Sequence, residues 1–542
     1  MFRLRMARLR WRKLFEPPLD APFPLWMIFP VIFAALYAAH FNLLRLPYYW
    51  DEAGYYIPAA WDFFRTGSLI PTTTLSNAHP PLPSVYLALW WKLSGFVPEV
   101  TREAVLIAAS LGLLGVWKLV LRIHGSVAVA FWTTLLTAVY PIWFAQSTLA
   151  HADIFAAACT LWGLVYALPE RSRNPRAAAA WFTAAALSKE TAIAIPLTLA
   201  VMYAWEGLRA GGVVRARRLR EAGWLGLSVF PLAAWYGWHR AKTGYFFGNP
   251  EFLRYNAETT LTPVRVLAAF GHRILHLTGH MNMFVPVLLT GASLLLKPRT
   301  DAGGNERAGI ADGVRTRIFI LLLVNAVLFS VLGGALLCRY LLPMYPLVLV
   351  LAVVTFYRRV PFWHGMAGLC AAAFVAGIFI SPPYGFAPED NLAYARVIRL
   401  HQAGIAQLAR RYPGATVLSA WPVTDDLSKP ELGWVKEPWD VYAIEDFSEA
   451  QVERAAENPG RYSAALVFST KYDPPPLISL GRRYDERYFG LHHDLSPEEI
   501  AIHLHGQLVW KGEDDGMWVG LIRFNRQFEA LAAPPGRELR RR

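Results

Sequence analysis

Two acids, Asp51 and Glu52, stand side by side in "LPYYWDEAGYYIP", with Tyr48, Tyr49, Trp50, Tyr55 and Tyr56 around them. A carboxylate in such a setting is suited to accept a proton from a hydroxyl or an amine. The aromatic side chains can form a partly dry wall or a platform for a sugar ring. A further acid, Asp153, opens an apolar run in "LAHADIFAAACTLW", where it can orient an acceptor or contribute to a metal site. Two cations interrupt apolar sequence elsewhere: Lys189 in "ALSKETAIAIP" and Arg339, followed by Tyr340, in "LLCRYLLPMYP". Charges at such positions are costly and often functional, and a guanidinium can grip a phosphate through two hydrogen bonds. His79, in "NAHPPLPS", is placed to face the same region.

Each residue also has a plainer reading. Asp51 and Glu52 can head a surface helix over residues 53–66, where acids favour the positive helix end. Asp153 can be a first-turn acid. Lys189 and Arg339 can snorkel to an aqueous boundary, and His79 can sit in a stiff proline turn facing solvent. His272, His276 and His280, spaced four apart, share one helical face. That spacing permits a metal, but no carboxylate lies nearby in sequence, so interfacial histidines are the plainer reading. No cofactor is called for; a divalent metal is compatible with the acids, and its ligands stay unassigned. Cys159, Cys338 and Cys370 all lie in apolar runs and form neither a disulfide framework nor a metal cluster.

The elements that must position these residues are membrane spans. The chain has 542 residues, 55% hydrophobic and only 17% charged, below the usual quarter. Long apolar runs recur from about residue 24 to 380. The net charge of +13 is gathered in short loops between these runs. That is a topology signal rather than a nucleic-acid surface. If the basic clusters, beginning with the N-terminal "MFRLRMARLRWRK", all face the cytoplasm, eleven spans follow. They cover residues 24–42, 103–122, 126–144, 154–168, 177–188, 190–206, 222–240, 270–296, 317–337, 340–357 and 361–380. Residues 82–96 then form an outer interfacial helix, marked by Trp90, Trp91 and Lys92. Asp51 and Glu52 lie in a large first outer loop, 43–102, at the membrane–water boundary. The expected fold is a polytopic α-helical membrane domain, 1–380, followed by a small extracytoplasmic α/β domain, 381–542.

Within that second domain, 390–411 reads as an amphipathic helix. Residues 415–421, 439–446 and 461–469 read as strands, with a helix near 448–457. A hairpin over 507–525 turns at Asp514-Asp515-Gly516, and the terminal "PPGRELRRR" reads as disordered. No catalytic set stands out there.

The ordered set is distinctive: an acid pair after the first span, "HPPL" at 79–82, an outer Asp153, "SKET" at 188–191 and "RYLLP" at 339–343. It resembles the GT-C superfamily of polyprenyl-phosphate-sugar-dependent glycosyltransferases, in particular the protein O-mannosyltransferases and lipid A aminoarabinose transferases. The resemblance covers residues 24–380. It implies an inverting sugar transfer on the outer face of the cytoplasmic membrane, from a lipid-linked monosaccharide to a lipid, glycan or protein. On it, Asp51 matches the catalytic first-loop Asp and Glu52 its neighbour. His79 falls in the "HPP" of the mannosyltransferases, where the aminoarabinose enzymes have Lys; Ala78 stands where they have Glu, a metal contact. A single displacement needs a base on the acceptor side, Asp51, and cations around the departing lipid phosphate, Lys189 and Arg339; Asp153 can orient the acceptor or bind a metal. A lipid donor accounts for a site at the bilayer boundary. The rival classes are a transporter or flippase of a lipid-linked substrate, which would place ionisable groups at mid-membrane in two related halves, and a sensor or scaffold. The candidate charges instead collect at one face, and no repeat is evident. No glycine-rich phosphate loop or serine-hydrolase elbow is present.

Overall fold

The structure, a computed structural model, describes residues 24–74, 76, 79–170, 172–248, 261–301, 303–470, 472, 481–489 and 494–524. The basic N-terminal stretch, Ala78 and the arginine-rich end lie outside the described residues.

A helix lies at each of the eleven stretches read as spans. They are α1 (Leu25–His40), α4 (Pro98–Ile123), α5 (Val127–Val139) with α6 (Pro141–Gln146), α7 (Ala152–Ala167), α8 (Pro175–Ser188) and α9 (Ala194–Arg209). Then come α11 (Val229–Thr243), α12 (Pro263–Thr278) with α13 (Phe284–Leu294), α14 (Asp312–Val331), α15 (Tyr345–Arg359) and α16 (Trp363–Phe379). The first outer loop adds α2 (Ile57–Thr66) and α3 (Leu82–Ser94), and α10 (Gly212–Gly226) is a separate helix before α11. Among the described residues, four helical stretches, Leu25–Leu43, Pro98–Ile123, Glu190–Arg209 and Asp312–Val331, are both long and apolar enough to cross a membrane. Large apolar side chains such as Trp26, Val31, Phe230 and Leu323 face outward, as expected where lipid replaces water.

Proline sets many starts. Pro58, Pro83, Pro98, Pro141, Pro175, Pro263 and Pro346 each occupy the first turn of a helix, where the missing N–H costs no bond. Close packing rests on small residues. A Cβ on Gly112 of α4 would lie 2.8 Å from the Trp143 ring, and one on Gly163 of α7 would lie 2.5 Å from Phe182. Two expected spans are interrupted: α5 and α6 part at Tyr140, which has extended backbone, and α12 and α13 are separated by a 3₁₀ turn, His280–Asn282, in which Met281 and Asn282 have positive φ.

Contacts divide the chain into two units, residues 1–395 with 476–490, and residues 396–475 with 491–542. The second unit holds most of α17 (Ala393–Arg411), α18 (Val423–Ser428), α19 (Glu449–Ala456), α21 (Pro497–His503) and a five-stranded sheet; α20 (Arg482–Phe489) belongs to the first. Strand order is β2 (Val441–Ile444), β1 (Val417–Ala420), β3 (Ala464–Phe468), β5 (Met517–Arg523), β4 (Gln507–Asp514). β1 pairs parallel with β2 and β3, with Val417 opposite both Val441 and Ala464, and both β1 and β3 are wholly buried. β5 runs antiparallel to β3 and β4. The β4–β5 turn falls on Asp515 and Gly516, both at positive φ, the backbone a two-residue hairpin demands. The three strands, two helices and hairpin read from sequence are therefore present.

Candidate active site

Between α1 and α2 the chain makes two unusual moves. Trp50 takes a positive φ of 50°, and Glu52–Tyr56 then form one wide π-helical turn. Such turns are rare and cluster at functional sites. The local cause is Glu52. Its side chain is fully buried; its carboxylate accepts from Tyr49 N (3.0 Å) and Ala150 N (2.6 Å) and from both Nη atoms of Arg102 (3.3 and 3.2 Å). Arg102, from α4, also donates to the carbonyls of Leu46, Pro47 and Thr148. The pair thus ties the first loop to the 147–151 segment. Asp51 is left with its carboxylate partly exposed.

Arg339 is the hub. It sits in a 3₁₀ turn, Cys338–Leu341, that joins α14 to α15, and its side chain is 2% exposed. Nη2 donates to Asp51 Oδ2, Nη1 donates to Glu389 Oε1 at 2.5 Å, and Nε lies 3.4 Å from Asp153 Oδ2. Asp153, in the first turn of α7, accepts from Lys189 Nζ at 2.6 Å through its other oxygen. Lys189, which follows α8, also stands 4.0 Å above the Tyr340 ring, a cation–π contact. Asp153, Lys189, Arg339 and Tyr340 line a small, partly open cleft, together with Thr160 and Asn325. Buried ion pairs add little net stability, so this network is better understood as pre-organised charge.

His151 closes the cluster. It is wholly buried, with Nδ1 2.8 Å from Gln146 Oε1 and Arg339 Nη1 3.2 Å away. Gln146 fixes its own orientation by donating Nε2 to the Glu389 carbonyl. Burial, with Arg339, Lys189 and Arg102 around it, holds the imidazole well below its ordinary pKa, so it is neutral. Glu389 experiences the reverse. Burial pushes its carboxyl up, to about 8, against the pull of Arg339, and Asp51, Asp390 and Asp153 add to the push.

Of the residues singled out in the sequence, Asp51, Asp153, Lys189, Arg339 and Tyr340 converge directly. Glu52 is adjacent, but its carboxylate is engaged by Arg102 and two backbone amides. His79 pairs with Glu190 (2.9 Å) and stacks on Tyr56, whose ring in turn touches His151. Burial raises the Tyr56 hydroxyl well above its usual range, so it is a neutral donor. Sequence reading missed Glu389, Arg102 and the place of His151 in the cluster. Glu389 lies in "APED", past the last span, where an acid looks like ordinary outer-domain sequence. Arg102 lies one residue before an expected span, where a basic residue carries no special signal. The three histidines do not gather round a metal: His272 and His276 are 6.3 Å apart by ring centroid, and His280 turns toward Tyr384 and Asp390.

Residues 78–235 match the family model for dolichyl-phosphate-mannose-protein mannosyltransferases. Two solved structures of ArnT from Cupriavidus metallidurans superpose on the chain. The apo form gives a TM-score of 0.52 at 14% identity, covering 92% of this chain and 97% of that one. The form bound to undecaprenyl phosphate gives 0.53 at 15% identity, covering 92% and 98%. The resemblance to the GT-C glycosyltransferases holds in sequence and in fold. No curated protein sequence matches the chain. The fold shared with ArnT and the long apolar helices support an integral membrane protein.

Proposed function

We propose that the chain is a glycosyltransferase that moves a sugar from a polyprenyl-phosphate donor to a lipid, glycan or protein acceptor at the outer face of the cytoplasmic membrane. The observation that carries this is the Arg339 cluster: one partly exposed carboxylate, Asp51, is held by the buried Arg339, which with Lys189 lines a small cleft. An acceptor hydroxyl or amine gives its proton to Asp51 while its oxygen or nitrogen attacks the anomeric carbon. The bond from that carbon to the phosphate oxygen breaks, the anomeric configuration inverts, and the electron pair leaves with the polyprenyl phosphate. Lys189 and Arg339 offset the charge that develops on the phosphate. Both Nη atoms of Arg339 are engaged by acids, so donor phosphate would displace Asp51 or Glu389 from it, which frees a carboxylate as the donor arrives. Asp153 holds Lys189 in place, and Tyr340 lies beneath it. His79 and Tyr56 flank the phosphate side. The donor class is supported by the fold shared with a protein solved with undecaprenyl phosphate. In this reading eleven spans cross the bilayer, the N-terminus is cytoplasmic and the C-terminal unit is outside. The ionisable groups lie at element ends rather than within long helices, which favours an enzyme over a transporter.

The test is sugar transfer by purified protein from undecaprenyl-phosphate-linked sugars to membrane lipid, glycan and peptide acceptors, read by mass spectrometry. Transfer that is abolished in Asp51→Asn supports the reading. Bidirectional movement of an intact lipid-linked sugar across vesicles, with no glycosidic product from any donor, would replace it with the flippase.

A further inference from the structure

His280, Cys338 and Asp390 come from three separate turns, His280–Asn282, Cys338–Leu341 and Pro388–Asp390. All three are buried, and one ligand atom from each lies within 4.8 Å of the others. We propose that these residues bind a resident Zn²⁺ ion, which clamps together the turns that carry Arg339 and Glu389.

The donor set selects the metal. An imidazole nitrogen, a thiolate and one carboxylate are borderline-soft, which suits Zn²⁺ and not the all-oxygen shells of Mg²⁺ or Ca²⁺. Ligand atoms on a tetrahedral Zn²⁺ stand roughly 3.3–3.7 Å apart, so movements of about an ångström complete the site. Water takes the fourth position. The surroundings fit ligation better than plain hydrogen bonding. His280 Nε2 faces Asp390 Oδ2 at 3.0 Å, while Nδ1 faces the Tyr384 hydroxyl at 3.0 Å. That second contact is the outer-sphere partner a ligating histidine needs. The backbone is braced on each side: Tyr345 donates to the Cys338 carbonyl (2.9 Å) and Tyr140 to the His280 carbonyl (3.3 Å). Beyond His280, Met281 and Asn282 hold left-handed backbone, a conformation costly for Met281. Asn282 is held there by its bond to the Ala373 carbonyl at 2.7 Å. On binding, Zn²⁺ replaces the thiol proton of Cys338, which passes to water.

Neither the metal nor its readout depends on the transfer reaction, so the two proposals fail separately. The full-length protein is purified in detergent from zinc-supplemented cells, dialysed against EDTA, and its metal content measured. About one zinc per chain is expected, falling at least severalfold in Cys338→Ser and His280→Gln. Zinc far below one per chain in the wild type, or retained unchanged in both variants, overturns the proposal. Should the variants not fold, Co²⁺ exchanged into the wild type decides it. A thiolate-to-cobalt charge-transfer band is expected, and cobalt bound without that band places the metal elsewhere and overturns the Cys338 site.

Discussion

At the scale of single residues, the site turns on who pairs with whom. Asp51 is the one acid of the cluster with appreciable exposure, 23% of its side chain, so it is the group an acceptor can reach. Asn matches its size and keeps a hydrogen-bonding oxygen but cannot serve as base. Transfer by Asp51→Asn should fall by about 10²–10⁴-fold with the fold retained, measured as sugar transfer beside a size-exclusion profile. Near-wild-type turnover would take Asp51 out of the mechanism. The cations make a different prediction. Lys189→Ala and Arg339→Ala each remove a charge-assisted contact worth roughly 1.5–3 kcal/mol to a phosphate, so donor use should weaken about ten- to hundredfold, with less change in acceptor affinity. Arg339→Ala also leaves Glu389 and Asp153 without their shared cation, so its loss should exceed that of Lys189→Ala. Equal donor kinetics in wild type and both variants would return the two residues to a structural role. Why Asp51, Lys189 and Arg339 were legible is physical: a charge in apolar sequence is conspicuous. Glu389 sits in polar sequence, where an acid carries no such signal, and only the fold shows it buried against Arg339.

At the scale of elements, the apolar runs announced the helices and the basic loops separated them, but the breaks were harder to read. The expected span over 270–296 contains no proline at its break, only Gly279, and the kink at His280–Asn282 is imposed by tertiary contacts to Tyr384 and Ala373. The π-turn at Glu52–Tyr56 is similarly a consequence of where Arg102 draws Glu52. Truncating one side of that pair should therefore loosen the loop. Breaking a buried ion pair costs about 3–5 kcal/mol. Glu52→Gln should speed amide exchange across residues 45–56 far more than Asp51→Asn does, while lowering transfer less. Exchange unchanged in Glu52→Gln would mean that the loop is held by other contacts. In the second unit, His401 of α17 packs between Trp434 and Phe468, and burial lowers its pKa to about 4. The ordinary value is about 6.5, so between 6.5 and 4 the unfolded unit binds the extra proton. Stability from neutral His401 is full above about 6.5 and falls by roughly 3 kcal/mol as pH drops toward 4. Asp426, raised by burial, has the opposite slope, so the comparison isolates His401. Protection factors of β3 should drop from pH 7 to pH 5 more in wild type than in His401→Leu, and equal drops would discount the histidine.

At the scale of the whole molecule, charge distribution carries more information than net charge. The same +13 that in a soluble protein would invite a nucleic-acid reading is here divided among loops such as the one between α13 and α14, and the apolar helices separate those loops from the acids of the site. The C-terminal sheet was readable because its strands are short, alternate or wholly apolar, and end in turn residues such as Asp515-Gly516. Its position could not be read that way, because a sheet has the same pattern on either side of a membrane. Side therefore depends on the span count, and the span count depends on which basic clusters face inward. If Lys297, Arg299, Arg307, Arg315 and Arg317 mark a cytoplasmic loop, three further crossings, α14, α15 and α16, carry the chain outward before α17. A reporter fused after Gly304 should then read cytoplasm, and one fused after Ala450 should read exterior. Cysteine labelling of the same two positions in intact cells offers an independent measure. Both reporters on one side would require an even number of crossings between them, which would break the alternation on which the outer location of Asp51 rests.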